Sequence, residues 1–583
     1  MRIGIGSGRE LAAGVRSRGS RVAVAGGALV LLILVMLLVP TVSTSGPRSS
    51  GGLGVGQVTV TAGVTPPETP GSNGTTVGGT QCRPGIRQVT WSVYAPTCVP
   101  EYHGNNGGAA SPGVTRTTIT IGFRYAASSL LQSIYSLYPK DVIGGSKETL
   151  STLQAYIKLF NKDFELYGRK VVLSPFGGHG NFVSELTGTG QDQAQADAIE
   201  EKSLGAFADD SLSDTSPLFA NDLVEQKVVS VTLWPPNRGW FASQAPYAYA
   251  VGPDCDKREA AVAAFAADEL QNRPAIFAGP RLASTVRTIA YLYDETPIQA
   301  TCARILSSDY LKDGGASPMK QVSYSVSISQ YQSETTALVE RMQASGVTTV
   351  VMSADPVTPI FFMNAAAQAG YFPEWVLIPF YGVGSINSDG WTSGFPQDES
   401  AHALTLGMVS KPVVDQEAFT AFEMGCRLPP VSDCSSVLPP GPLAFAYAST
   451  LLLFSGFQQA GPWLTPANFA AGISHLRSGL PSGMFGPWAF GPGTYDPLAG
   501  FQVLRWSPNS LSPIDQAIPG TSVTAVHGDL GTYVACNNGQ LYSYASPVLP
   551  KGQLLAAQLS AHAPATFHDH DSAVVFADGN HSV

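Results

Sequence analysis

Short runs rich in β-branched residues alternate with longer stretches of helical period, and they do so twice along the chain. Such a pattern restricts the fold to parallel sheets covered by helices, an α/β class. The first series opens with TTITIGF at 117–123, after which Leu150, Leu153, Ile157, Phe160 and Phe164 recur at helical spacing. A strand at 170–173 follows the turn at Gly168. Then come a helix at 191–202, a strand at 204–208, a helix at 216–226 and a strand at 228–233. A helix at 257–271 begins the second series, with strands at 288–293, 321–326, 348–352 and 375–379. The expectation is two doubly wound parallel-sheet lobes.

The ends differ from this body. Every residue from 22 to 39 is apolar or Gly, enough for a helix of about 27 Å, close to the thickness of a bilayer core. Arg2, Arg9, Arg16, Arg18 and Arg21 precede it with only Glu10 as an acid, so residues 1–21 read as a basic cytoplasmic stub and the chain beyond Pro40 is placed outside. The run is a transmembrane signal anchor or a signal peptide; its length favours the first, and the small residues Ser43 and Ser45 would suit cleavage. Residues 40–80, almost uncharged Gly, Ser, Thr, Pro and Val, read as a disordered linker, and 550–583 as a disordered tail.

A formal charge of −10, from 33 Lys and Arg against 43 Asp and Glu, opposes attraction to phosphate backbones and argues against nucleic acid as a partner. Enzyme signatures such as GxSxG, HExxH and GxxxxGK[ST] are missing from the sequence, so no catalytic residue, metal ligand or cofactor is assigned. Gly4, Gly6 and Gly8 have the spacing of a dinucleotide loop but follow no strand, and His568, Asp569, His570 and Asp571 read as a solvated tail.

Seven cysteines in a chain facing an oxidising compartment make disulfides the expected use. Cys82 with Cys98 and Cys426 with Cys434 would close short loops, Cys255 with Cys302 is a third candidate pair, and Cys536 is left over. Without CxxC spacing, zinc and thioredoxin-like chemistry have no foothold.

Several stretches, taken in order, carry a family likeness: YIKLFNKDFELYGRKVVL at 156–173, SLGAFADDS at 203–211 and EQKVVSVTL at 225–233. The long segment 333–384, ending in FYGVG, is the most specific of them, and FAYASTLLLFSGFQQAG at 445–461, FGPGTYDP at 490–497 and FQVLRW at 501–506 come after it. Together they resemble the branched-chain amino acid (Leu/Ile/Val) binding proteins of ABC transporters, the type I periplasmic binding protein fold. QCRPGIRQVTWSVYAPTC at 81–98 and GNNGGA at 104–109 look like a pre-domain segment, here 81–116, found in some actinobacterial members.

The resemblance implies two lobes joined by a hinge: 117–250 with about 408–485, and 251–407 with about 486–545. It further implies a monomer that takes an amino-acid-like or other small organic solute between its lobes and delivers it to an ABC transporter permease, with no cofactor. A membrane-tethered ligand-sensing receptor and a surface structural protein are the alternatives.

In open parallel sheets, ligands sit beyond the carboxyl ends of the strands. That rule selects Tyr125, the loop Asp209, Asp210 and Ser211, then Thr232 and Trp234, and from the second lobe Ser353, Asp355 and Tyr381. Asp209, Ser211 and Asp355 would serve equally as helix caps, whereas Trp234 and Tyr381 can cover an apolar face and still donate a hydrogen bond. Amino-acid-binding members usually have a Ser/Thr-rich loop where this chain has Ala208, Asp209, Asp210 and Ser211, and an acid where it has Tyr381. Carboxylates in that loop would repel an anionic group, so these two departures weigh against an α-amino acid ligand.

Overall fold

The computed structural model describes residues 70–126, 146–186, 188–212, 215–233, 236–326, 330–353, 358–378, 395–407, 417–430, 440–480, 483–511 and 530–556. The first long strand, β1 (Thr118–Ala126), buries Ile119, Ile121 and Phe123 on alternate positions. It runs parallel to β2 (Lys170–Gly178) over its whole length, from Thr118 opposite Lys170 to Ala126 opposite Gly178. Between them α1 (Ser146–Asp163) inserts Leu153, Tyr156, Ile157 and Phe160 into the core, the positions its helical period marks. The chain then turns back through Tyr167 and Gly168, both at positive φ, 58° and 76°; a left-handed pair here is what the glycine permits.

The same unit repeats with α2 (Phe182–Leu186), α3 (Gln191–Ser203), β3 (Ala208–Asp209), α4 (Pro217–Glu225), β4 (Val229–Thr232), α5 (Arg238–Gln244) and β5 (Ala248–Ala250). Ser216 and Asn237 start α4 and α5 by accepting hydrogen bonds from the backbone N–H of Phe219 and Trp240. The resulting sheet is parallel throughout, in the order β2-β1-β3-β4-β5.

A second sheet follows α6 (Cys255–Phe265), which is capped by Asp254 and continues as one π-helical turn, Ala266–Leu270. Its elements are β6 (Ile289–Asp294), α7 (Pro297–Lys312), β7 (Lys320–Tyr324), α8 (Tyr331–Ala344), β8 (Thr349–Ser353), α9 (Thr358–Gln368), β9 (Glu374–Leu377), α10 (Gln397–Ser400) and β10 (Ala403–Gly407). The parallel part is ordered β7-β6-β8-β9-β10. Two later strands, β11 (Gly500–Leu511) and β12 (Leu530–Ala535), extend it antiparallel beyond β10, and β13 (Tyr542–Ser543) pairs with the start of β11.

Between β10 and β11 the chain goes back to the first sheet. α11 (Glu417–Arg427), α12 (Pro440–Gln459) and α13 (Pro466–Ser474) cover α1 and the strand face beside it. The Tyr156 hydroxyl donates to the carbonyls of Ala418 and Leu443, at 2.8 and 3.2 Å. Phe160 meets Phe454 edge-on at 5.3 Å, and Phe207 meets Phe457 and Phe469 at 5.8 and 6.2 Å. A hairpin pairing Arg477–Ser478 with Trp488–Ala489 then leads to β11.

Order begins earlier and ends later than composition suggests. From Pro70 onward the expected linker is structured: Gly74–Thr75 pairs with Gln81–Cys82, and Thr76 is buried. At the other end Leu554 and Leu555 are buried and Glu269 accepts from the N–H of Gly552, so the expected tail is packed as far as Leu555. A few apolar side chains suffice to fix a segment that is polar on average. Where a strand is expected from 204, Leu204 instead caps α3 and Gly205, at φ 78°, turns the chain, leaving β3 to start at Ala208.

Cys82 is bonded to Cys98 and Cys255 to Cys302. Cys426 is also in a disulfide, while Cys434 lies outside the described residues. Cys536 is a buried free thiol at the end of β12, its N–H donating to the carbonyl of Val503. Among the described residues no helix is long and apolar enough to cross a membrane; the run at 22–39 lies outside them.

Candidate functional site

Each sheet places its first strand between its second and third, so connections leave β1 and β3, and likewise β6 and β8, in opposite directions. At such a switch point the loops part and leave a crevice beyond the carboxyl ends of the strands. By that rule the position to inspect lies beyond Ala126 and Asp209 in the first sheet and beyond Asp294 and Ser353 in the second.

Five of the residues selected from sequence stand at or just past the carboxyl ends of β3, β4 and β8 and are buried: Asp209, Asp210, Ser211, Thr232 and Ser353. The side chains of Asp209, Asp210, Ser211 and Thr232 are engaged within the protein. Asp209 accepts from the N–H and hydroxyl of Ser211 and from the Thr215 hydroxyl at 2.9 Å. Ser211 Oγ in turn accepts from the N–H of Arg124 at 2.8 Å. Asp210 accepts from the Thr450 hydroxyl of α12 at 2.9 Å, and its own N–H donates to the carbonyl of Gly122 at 3.0 Å. Thr232 donates to the carbonyl of Thr215 at 3.4 Å. Ser353 is buried beside Glu259 and Tyr291. Tyr125 is half-buried, its ring 6.5 Å from that of Phe123. Trp234, Asp355 and Tyr381 lie outside the described residues.

Beneath the 209–211 loop is a charged cluster that sequence inspection did not find. Arg124 is fully buried, two residues from the end of β1. Its guanidinium reaches Glu185 at 2.6 and 3.1 Å and Asp197 at 3.1 Å, and lies 3.6 Å over the ring of Phe219. Such a planar fork suits two carboxylates and an aromatic face together. Glu201, also buried, packs where Gly122 leaves room; a Cβ there would stand 2.0 Å from its Oε1. The one available signal was an Arg inside a run otherwise suited to a buried strand.

Burial dominates the electrostatics. It pushes Asp209 up to about 6 and Asp210 up to about 7, against the hydrogen bonds from Ser211 and Thr215 to the first and from Ser449 and Thr450 to the second. Burial and the neighbouring Asp209 carry Glu201 well above the usual carboxylate range. On α6 burial raises Glu259 to about 7, with Arg258 opposing. The loop is therefore less anionic than its sequence suggests, and its carboxyls are held away from solvent.

Among the described residues, His179, Asp197 and Glu200 bring ligand atoms within 4.8 Å of one another. Asp197, however, already receives Arg124 and the N–H groups of His179 and Gly180, which leaves it poorly placed to hold a metal ion. A cavity of about 230 Å³, lined by Leu282, Val347, Tyr371 and Phe372 among others, lies at the amino ends of β8 and β9, away from the switch point.

No family model matches the chain, and no curated protein does. Among solved structures it is similar to the fatty acid ABC transporter substrate-binding protein from Thermomonospora curvata, with 13% identity, a TM-score of 0.48 and coverage of 76% of this chain and 97% of that one. It is also similar to a solute-binding protein of an ABC transporter from Rhodopseudomonas palustris in complex with 3,4-dihydroxybenzoic acid, at 11% identity, TM-score 0.49, and 75% and 99% coverage. A third is an ABC transporter substrate-binding protein from Desulfitobacterium hafniense in complex with Leu, at 14% identity, TM-score 0.42, and 67% and 97% coverage.

Proposed function

We propose that the chain is an extracytoplasmic solute-binding protein whose two lobes, joined by a hinge, take up a small organic solute and deliver it to the permease of an ABC transporter. The observation that carries this reading is one strand order repeated in both sheets, with the chain passing between the sheets after β5, after β10 and before β11. Two crevices on separate sheets, linked by several strands of chain, are what a closing cleft needs. The lobes are 117–250 with about 408–485, and 251–407 with about 486–545. The disulfides Cys82–Cys98 and Cys255–Cys302 support a place outside the reducing cytoplasm. The apolar run at 22–39 would either anchor the protein or direct its export.

With Asp209, Asp210, Ser211 and Thr232 committed to hydrogen bonds within the protein, contact with the solute falls to Tyr125 and Ser353 and, by their place in the sequence, to Trp234, Asp355 and Tyr381. Thermal unfolding of the purified protein with amino acids, aromatic acids, fatty acids, amides and sugars tests the reading. A true solute at a hundred times its Kd stabilises by about 2.7 kcal/mol, and Tyr381→Ala should shrink that shift. If no class of compound moves the transition, the transport reading is lost.

A further inference from the structure

The segment before β1 is built into the body of the protein. The Cys82–Cys98 disulfide closes it, and Gln88, Ser92, Tyr94, Ala95 and Val99 are buried. Gln88 donates to the carbonyl of Asp163 at 2.9 Å, and Trp91 stacks on Phe160 at 6.0 Å, which fixes the segment to α1.

From that base it reaches two places where the chain passes between the sheets. Glu417, the first residue of α11 after the passage from β10, accepts from the Ser92 hydroxyl at 2.6 Å and the Val93 N–H at 2.8 Å. The Tyr447 hydroxyl donates to the same carboxylate and lies 2.8 Å from Ser92 Oγ. The Tyr94 hydroxyl donates to the carbonyl of Gly486 and accepts from the N–H of Phe485, both at 2.8 Å, while the Val93 carbonyl accepts from the Gly479 N–H at 2.7 Å.

The 485–489 stretch carries these contacts onward. Ala489 N–H donates to the carbonyl of Pro497 at 2.7 Å, and Ala499 N–H to that of Pro487 at 3.1 Å. Asp496, fully buried, pairs with Lys257 at 2.8 Å and accepts from the N–H of Asp254 at 3.2 Å, and Ala250 N–H donates to the carbonyl of Tyr495 at 2.9 Å. All three passages thus touch one connected set of hydrogen bonds that starts in the N-terminal segment.

We infer that residues 81–99 are a brace on the connections between the lobes and set how freely those connections flex. The inference rests on the two-lobe reading for its consequence in solute capture, but its test needs no solute. In Tyr94→Phe, Phe485 N–H and Gly486 C=O lose the hydroxyl that joins them. Hydrogen–deuterium exchange on the full chain should then quicken about tenfold at 483–490, the effect of leaving buried backbone groups unpaired. The brace requires that exchange also quicken at 494–498 and 248–257, with β1 and β8 unchanged.

Faster exchange confined to 483–490, or no change, overturns the inference and leaves the segment a surface cover. Ser92→Ala, which removes a donor to Glu417, gives an independent measurement should Tyr94→Phe not fold, with the quickening then expected at 417–427. A chain that shows the coupled exchange but binds no solute keeps the brace and loses the transport reading; the reverse outcome does the opposite.

Discussion

A guanidinium removed from water is tolerated only where carboxylates replace its hydration, and Arg124 meets that condition through Glu185 and Asp197. Removing the cation alone would leave Glu185 buried without its counter-charge and Asp197 with only the His179 imidazole, 2.8 Å away. Arg124→Met is therefore expected to lower unfolding free energy by about 3–5 kcal/mol in urea titration, and Arg124→Lys to recover little, since an ammonium cannot span two carboxylates. At this scale the sequence was a partial guide. Asp209, Asp210 and Ser211 could be placed at a crevice because each follows a short strand, but their partners come from distant positions such as Thr450 and Arg124. No local spacing announces a hydrogen bond of that separation, so the inward direction of these side chains could not be read.

Elements were easier, because period and capping are local. The core strands at 118–126, 170–178, 229–232, 289–294, 320–324, 349–353 and 374–377 fall where β-branched runs predicted them, with shifts at the ends. β10, ALTLG at 403–407, was not anticipated: its few residues are all buried, so they have neither alternation nor helical period. The pairing of Cys255 with Cys302 joins the first turn of α6 to the interior of α7. By closing a sequence separation of 47 residues it restricts the unfolded chain, worth about 4 kcal/mol on loop-closure grounds. The double variant Cys255→Ser/Cys302→Ser should lose up to that amount in chemical denaturation while keeping its far-UV circular dichroism.

For the molecule as a whole, raised carboxyl pKa values make stability depend on pH. Asp209, Asp210 and Glu259 titrate higher folded than unfolded, near 6, 7 and 7, because burial disfavours their charge. The folded state then binds more protons, so their stabilising contribution is full below the unfolded pKa and is lost as pH rises through about 4 to 7. His402, lowered to about 4 by burial, works the other way, but only below its unfolded value of 6.5. Between pH 6.5 and 8 the carboxyls should dominate. Unfolding free energy is expected to fall there by about 1 kcal/mol for each group titrating near 7, and Asp210→Asn should flatten the slope.

An odd number of cysteines is a hazard for a chain that forms disulfides, since a free thiolate attacks existing bridges. Cys536 answers it by position: enclosed at the end of β12, it is pushed up to about 12 by burial, so at physiological pH it remains a neutral thiol out of reach. Its chemistry is therefore a gauge of opening. Any reagent that modifies this sulfur in the native protein counts the moments at which the outer edge of the second sheet has come away, and those are also the moments at which this thiol can ionise and become a nucleophile.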